Sequence, residues 1–325
     1  VNLVLGETWS SDRAAPAKPG TLQATHTVPY QAEVPAGARF ITVGVDVQSG
    51  DGGRFEVTVV AWGYLETAHV VGHWILDAHP LTDPRAWAAL DELLLRQFRK
   101  PDGTMLPVSA VAIDSGHLTT EVYDFANARA ARRVWAIKGE SSRSGSSTGV
   151  LWSKAPTPAV GARTRGDVYR IDTILAKDTV AQRFRLEVGD PGAWCWPAVP
   201  LAGAVPCDER YFERLLRERP IEKWVNGRLQ RSWTSPSDQE PWDCALYAYA
   251  AMRGLRLLHP AWNQRIDAPL EDHEVEAAAP AATAAPTAGA ADPKPAPAPT
   301  PPKQPAQQSP APIRPRVIRS RWTSG

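Results

Sequence analysis

The sequence predicts an α/β fold. The expected architecture is a mixed sheet, a three-strand meander followed by βα units, with flanking helices. Three observations predict it. Residues 40–76 carry three apolar, β-branched runs in quick succession. After them, stretches with helical spacing alternate with short apolar runs. From about residue 276 the composition turns to alanine, proline and threonine, where the folded pattern stops.

The elements follow in order. Residues 40–47 (FITVGVDV) read as a buried strand, and residues 55–62 and 68–76 as two more, with Gly63, Tyr64, Leu65 and Glu66 as the turn between them. Residues 84–98 have apolar side chains at helical spacing, and Asp83 before Pro84 makes a good helix start. Residues 108–113 form a fourth strand that ends at Asp114, residues 119–132 a helix, and residues 134–138 a fifth strand. Residues 139–166, rich in Ser, Gly, Lys and Arg, read as a mobile loop. A short strand at 168–171 precedes a helix over 172–183, with Asp172 as its N-cap. Residues 208–219 form an amphipathic helix, and residues 221–233 a hairpin around Asn226-Gly227. The last helix spans 240–258, with Pro241 in its first turn.

The ends read differently. Residues 1–38, with four prolines, are expected to be a connector with little structure of its own, and residues 39–258 the folded domain. Residues 259–325 form a tail. Its Ala/Pro-rich part cannot bury enough surface to offset chain entropy, so disorder is expected there. Residues 313–325 (IRPRVIRSRWTSG) regain arginines, aliphatics and a tryptophan, the composition of a docking peptide.

Composition excludes several classes. With 43% hydrophobic and 22% charged residues and a formal net charge of +1, the chain has globular composition and is no general polyanion binder. Cys195, Cys207 and Cys244 form no CxxC pair, so neither a disulfide framework nor a zinc site is indicated, and a reducing cytoplasm fits. No stretch approaches the length of a membrane span, and no signal peptide opens the chain. The first residue is a valine, as expected of a fragment or a processed chain.

Three aspartates stand out by position. Asp46 ends the first strand, Asp114 ends the fourth, and Asp243 lies in the first turn of the last helix. In a ribonuclease H-like sheet the first and fourth strands are parallel neighbours. Their C-terminal ends bring Asp46 and Asp114 side by side, and the late helix sets Asp243 against them. Taken singly, each reads as a turn or cap residue. Taken together, three clustered carboxylates repel one another unless cations sit between them. Mg2+ or Mn2+ suits such oxygen ligands. Two ions about 3.5–4 Å apart activate a water and stabilise the leaving 3′ oxygen of a phosphodiester.

At these residues the chain resembles the lambda-type (GpA) family of phage terminase large subunits. The stretches that carry the resemblance are GVDVQSGDGGRFEVTVVAWG from Gly44, DPRAWAALDELL from Asp83, AIDSGHLTTEVYDF from Ala112, RRVWAIKGE from Arg132, YFERL from Tyr211 and EPWDCALYAYAA from Glu240. The resemblance implies a nuclease that cuts concatemeric double-stranded phage DNA into genome lengths, downstream of a packaging ATPase. It implies metal-binding acids at Asp46, Asp114 and Asp243, and as partners DNA, a terminase small subunit and the portal of the prohead, the last contacted through the C-terminal tail. The place of work would be the cytoplasm of the bacterial host. The sequence also departs from the family. No GxxxxGK[ST] loop occurs, so the ATP motor is not in this chain. The opening VNLVLGETW resembles the exit from the family's ATPase. Gln239 stands where the family usually has Asn.

Other candidates carry two readings each. Lys138 either holds a phosphate near the site or is a solvated strand end. Arg143, Lys154, Arg163 and Arg165 either track a DNA backbone or decorate a surface loop. Asp172 resembles a recurring family position, but helix capping explains it. His117 either touches a phosphate or is a surface histidine. His69 and His73 are expected on one side of a strand, too far apart for a metal pair. Trp194, Trp196, Trp224 and Trp233 read as core and hairpin packing, and Cys244 as a small buried residue. A resolvase or transposase-type nuclease shares such a carboxylate set. A prophage remnant that only binds packaging partners is the non-enzymatic alternative.

Overall fold

The structure, a computed structural model, describes residues 17–140, 147–155, 167–225, 227–234 and 236–268. Helix α1 is Pro19–His26 and strand β1 Thr27–Val28. The meander is β2 (Phe40–Gln48), β3 (Arg54–Trp62) and β4 (Ala68–Leu76). Then come α2 (Ala86–Leu95), β5 (Gln97–Arg99), β6 (Met105–Asp114), α3 (Thr119–Asn127) and β7 (Val134–Glu140). These are followed by β8 (Trp152–Lys154), β9 (Val168–Asp172), α4 (Thr173–Arg183) and β10 (Trp194–Pro197). The chain continues through α5 (Glu209–Leu215), β11 (Pro220–Val225), β12 (Arg228–Trp233), α6 (Glu240–Leu258) and α7 (Ala261–Asp267).

One mixed sheet runs in the order β1-β10-β4-β3-β2-β6-β7-β9-β8, with β5 on the side of β6. Strands β2, β3 and β4 are antiparallel, while β2, β6, β7 and β9 run parallel. A meander of three strands whose first member pairs in parallel with the fourth is the ribonuclease H-like arrangement. Such a sheet needs cover on both faces, so its central strands are buried along almost their whole length, with no exposed face in alternation. In β2, Ile41, Val43, Val45 and Val47 enter the core shared with α2 and α3, while Phe40 enters the opposite core beneath α6. Each fully buried aliphatic contributes about 1.5–3 kcal/mol.

Helix α6 is the cover that matters for the site. Its whole inner face is buried, from Trp242 through Ala248 and Met252 to Leu255. Glycine at position 44 makes the approach possible. A Cβ there would overlap the Cys244 carbonyl and stand 2.5 Å from the Ala248 nitrogen. Two hydrogen bonds fix the crossing: Thr42 Oγ1 donates to the Ala248 carbonyl at 2.7 Å, and Cys244 Sγ to the Glu56 carbonyl at 3.1 Å.

Several expectations need correction. Residues 1–38 are not a bare connector throughout, because α1 and β1 occupy residues 19–28, and Leu22, Val34 and Ala38 are buried. Strand β1 pairs in parallel with β10, more than 160 residues away, which no local pattern announces. The fold also runs past residue 258, since α7 buries Ile266. Within the expected loop of 139–166, β8 pairs with β9, and Trp152 stacks on Tyr169 with ring centroids 4.8 Å apart. The helix expected to reach 98 stops at Leu95 and the chain turns into β5. The one expected to reach 132 stops at Asn127, with a 3-10 turn at Ala130–Arg132 before the left-handed Arg133. The helix over 208–219 shortens to Glu209–Leu215. The expected disorder beyond residue 268 and the tip residue Asn226 lie outside the described residues.

His69 and His73 do not share a face. A register shift opposite Val59/Val60 sets His69 against Ala61 and His73 against Thr58, and inverts the alternation between them. His69 then meets Cys195 Sγ at 3.1 Å, while His73 bonds Thr58 and Glu56. Among the described residues no helix is long and apolar enough to cross a membrane.

Replacing Gly44 by alanine should force α6 off the sheet. Overpacking of this kind costs about 1–3 kcal/mol, so urea unfolding of Gly44→Ala should show a lowered midpoint. An unchanged midpoint would mean that the helix shifts freely at this crossing.

Candidate metal centre

The register places the predicted acids. Strand β2 pairs with β6 so that Gly44 faces Ala112 and Val45 faces Ile113. One step further on, Asp46 and Asp114 stand at adjacent strand ends, on the face that α6 covers. Asp243 occupies the first turn of α6, one residue before the Cys244 that touches Gly44 and Glu56. The tight crossing therefore sets the distance between the helix and both strand ends. An acid in the first turn also lies where the helix dipole favours negative charge.

Electrostatics tie the three together. Burial, then the charge of Asp243, pushes Asp46 up to about 8; Asp114 and Glu240 add to the rise, and the Gln48 amide opposes it. Burial likewise raises Asp243 to about 7, with Lys177 pulling it down and Glu218 and Asp114 pushing it up. Asp114 is raised by burial, against the backbone N–H groups of Gly116 and Ser115 and the charges of His117 and Lys138. Each of the three thus resists ionisation, and Asp46 and Asp243 do so partly because of the other acids.

The neighbouring carboxylate fares differently. Glu56 pairs directly with Asp46 across β2 and β3. Its burial would raise it, but His73 at 3.0 Å and Arg214 at 2.9 Å hold it down at about 2. Arg54 adds a further bond at 2.6 Å, and Arg214 also binds Glu240 at 2.8 Å and Asp238 at 2.7 Å. This knot is neutralised within the protein, whereas the three aspartates are not.

The donor set fits a hard divalent cation in kind. The three carboxyl groups offer oxygen donors only, and a cation between them would favour the ionised form that burial and the neighbouring acids disfavour. The set does not close into a cage, since among the described residues no three His, Cys, Asp or Glu side chains are arranged to hold a metal alone. Mg2+ characteristically takes one or two carboxylates and completes its shell with waters and substrate phosphates.

The remaining candidates separate. Lys138 is exposed one residue beyond Ile137, the partner of Asp114, and its charge reaches Asp114. His117 is exposed and also acts on Asp114. Lys154 stands away on edge strand β8, paired with Asp167 at 2.5 Å. Arg143, Arg163 and Arg165 lie outside the described residues. Asp172 caps α4 through Leu175 N at 2.9 Å, and its other oxygen accepts from Ser147, Thr148 and Gly149. Trp194 and Trp196 are core and Trp233 packs on Trp242, but Trp224 is 72% exposed on the hairpin, against the packing expected of it. Cys244 is buried as expected.

Sequence reasoning missed the Glu56–His73–Arg214 knot and the residues around Asp243, namely Lys177, Glu218 and Gln239. A glutamate inside a largely apolar strand is a usable signal, since a buried charge demands partners. Lys177 and Glu218 gave none, because nothing local separates them from solvated helix and loop charges.

The chain matches, over residues 1–262, the family described as terminase large subunit gpA, endonuclease domain. It is 29% identical over 265 residues to the terminase large subunit of Escherichia phage lambda, covering 78% of this chain and 38% of that protein. The same protein of Enterobacteria phage P21 is 29% identical over 262 residues, with 78% and 38% covered. The chain thus spans well under half the length of these relatives. Among solved structures, the nuclease domain of the large terminase subunit gp2 of bacterial virus Sf6, determined with manganese and beta-thujaplicinol, is similar at a TM-score of 0.38. The identity there is 16%, over 70% of this chain and 95% of that one. That likeness is too loose to transfer any residue.

The raised acids have a consequence for stability. Asp46 goes from an ordinary 3.8 to about 8 on folding. The folded state therefore holds this proton better than the unfolded state. The resulting stabilisation is complete below about 3.8 and is lost as pH rises towards 8. With a chelator present, urea-unfolding stability should fall across that window, and Asp46→Asn should flatten the fall and leave the protein more stable than wild type at pH 8. Parallel curves for the two proteins would show that Asp46 carries no such burden.

Proposed function

Since the chain belongs to the family of terminase large-subunit gpA endonuclease domains, we propose that it is a metal-dependent endonuclease that cuts concatemeric double-stranded DNA during phage packaging. One observation carries the chemical part of the reading. The ends of β2 and β6 and the first turn of α6 present three acids that burial keeps from ionising freely, helped at Asp46 and Asp243 by the charge of the other acids.

Asp46, Asp114 and Asp243 would hold Mg2+ or Mn2+, two ions in the arrangement proposed. When bound, the ions supply a nucleophilic water and stabilise the leaving 3′ oxygen of the phosphodiester. The chain's own residues supply the rest. The backbone N–H groups of Ser115 and Gly116 orient Asp114, and the Gln48 amide orients Asp46. Lys138 and His117, exposed beside Asp114, would meet the phosphate backbone of the substrate in this reading. Helix α6 closes the inner side of the site against water. Beyond DNA, the partners proposed are the terminase small subunit and the portal, within the cytoplasm of the bacterial host.

The purified chain should cut plasmid DNA with Mg2+ or Mn2+ and stop when a chelator is added. Asp46→Asn, Asp114→Asn and Asp243→Asn should each lower cutting by on the order of 100-fold or more while the circular dichroism stays native. Cutting that persists in chelator would end the metal reading, and full activity in any one variant would remove that residue from the set.

Residues 313–325 are proposed to dock on the portal. A tethered peptide raises local concentration without altering chemistry. Deleting residues 313–325 should leave plasmid cutting intact and weaken retention on immobilised portal, and equal retention with and without the peptide would refute docking.

A further inference from the structure

Glu218 lies just ahead of β11, with a side chain 1% exposed. Three donors converge on it. Lys177 Nζ from α4 stands 2.5 Å from Oε2. Trp242 Nε1 donates to the same oxygen at 3.2 Å. Gln239 Nε2, at the N-cap of α6, donates to Oε1 at 2.9 Å. The same Gln239 nitrogen reaches Asp243 Oδ2 at 3.4 Å. One amide therefore bridges two carboxylates. Both bonds come from the same NH2 group, so the amide is turned with its nitrogen towards the two carboxyl groups. Gln239 Oε1 then faces elsewhere, buried and without a hydrogen-bond partner among the described residues.

We propose that Lys177, Glu218 and Gln239 form a positioning relay that holds Asp243 as a ligand for a divalent cation. The proposal rests on the reading of Asp243 as a metal ligand. Lys177 neutralises Glu218, so that a buried carboxylate can stand close to Asp243 without driving it away. Glu218 in turn anchors the Gln239 amide. The amide then fixes the side chain of Asp243 in the direction of Asp46 and Asp114. Trp242, on the same turn of α6, ties the relay to the core through its own bond to Glu218. None of these residues needs to touch the substrate. They act through Asp243, as outer hydrogen-bond partners do around metal ligands, where their loss costs about 10- to 100-fold in metal affinity or activity.

The test is Mn2+ binding by the full 325-residue chain, followed by calorimetry and by the electron paramagnetic resonance of free Mn2+, with thermal unfolding in parallel. Gln239→Leu removes the bridge, Lys177→Met removes the charge, and Lys177→Arg keeps it. The first two should weaken Mn2+ binding about 10- to 100-fold. Their cutting activity should need correspondingly more Mn2+ and recover much of its rate at saturation. Lys177→Arg should bind close to wild type. Wild type that binds Mn2+, with Gln239→Leu and Lys177→Met binding equally well, overturns the relay while leaving the metal reading in place. Wild type that takes up no Mn2+ overturns both. If a variant is partly unfolded, binding is scored per folded molecule, and normal affinity in that fraction also counts against the relay.

Discussion

At Gly44 helix α6 touches the sheet backbone to backbone, and the geometry of the site hangs on that contact. The crossing leaves no room for a side chain on β2 and brings the Cys244 carbonyl down onto the strand. Thr42 ties the helix one turn further on, and accepts the Trp62 indole N–H at 2.7 Å as well. The position of Asp243 follows from this contact. It sits one residue before Cys244, and the two strand ends that carry Asp46 and Asp114 lie directly below. A helix held by long, flexible side chains would leave that spacing soft. A helix held through its backbone does not, because packed interiors yield little to small displacements.

The same crossing creates a problem of charge. Three aspartates, Glu56, Glu240 and Glu218 all lie around the N-terminal end of α6. The protein neutralises some of them from within. Arg214 reaches from α5 to Glu56, Glu240 and Asp238 at once, and Lys177 reaches from α4 to Glu218. Glu56 and Glu218 are carboxylates taken from water and offset by several hydrogen bonds to cations and other donors, the condition under which a buried ion pair is tolerable. These cations come from elements far apart in the chain. The acidic end of α6 is thus also a point at which α4, α5 and the meander are bound together.

How much of this is legible in the sequence depends on how local the signal is. The meander, β6, β7 and α6 are written in runs of apolar residues, and the strand-end position of Asp46 and Asp114 can be read from those runs directly. Strands β1 and β10 are not legible in the same way. They are two and four residues long, and their partners lie far off in the chain. The shift that separates His69 from His73 is invisible for a related reason. The period-2 rule assumes an unbroken ladder, and a bulge that inverts it has no compositional mark in AHVVGHWIL. Around the site, the acids could be named from the sequence and their counter-charges could not, because Arg214 and Lys177 look like ordinary helix-surface cations until the helices are packed.

Asp46 and Glu56 are cross-strand partners, both buried in the same sheet, yet one is pushed up to about 8 and the other held at about 2. Burial cannot account for the difference, since both side chains lose water. The partners do. Glu56 has an imidazole and two guanidinium groups around it. Asp46 has one neutral amide and the charges of other acids. A fold able to supply three partners to Glu56 leaves Asp46, one strand away, with none of equal strength. Neighbouring carboxylates driven in opposite directions are a signature of divided roles. Glu56 is committed to holding the sheet, α5 and α6 together. Asp46 has no cation of its own among the described residues, and burial together with Asp243, Asp114 and Glu240 works against its ionisation while only the Gln48 amide works for it.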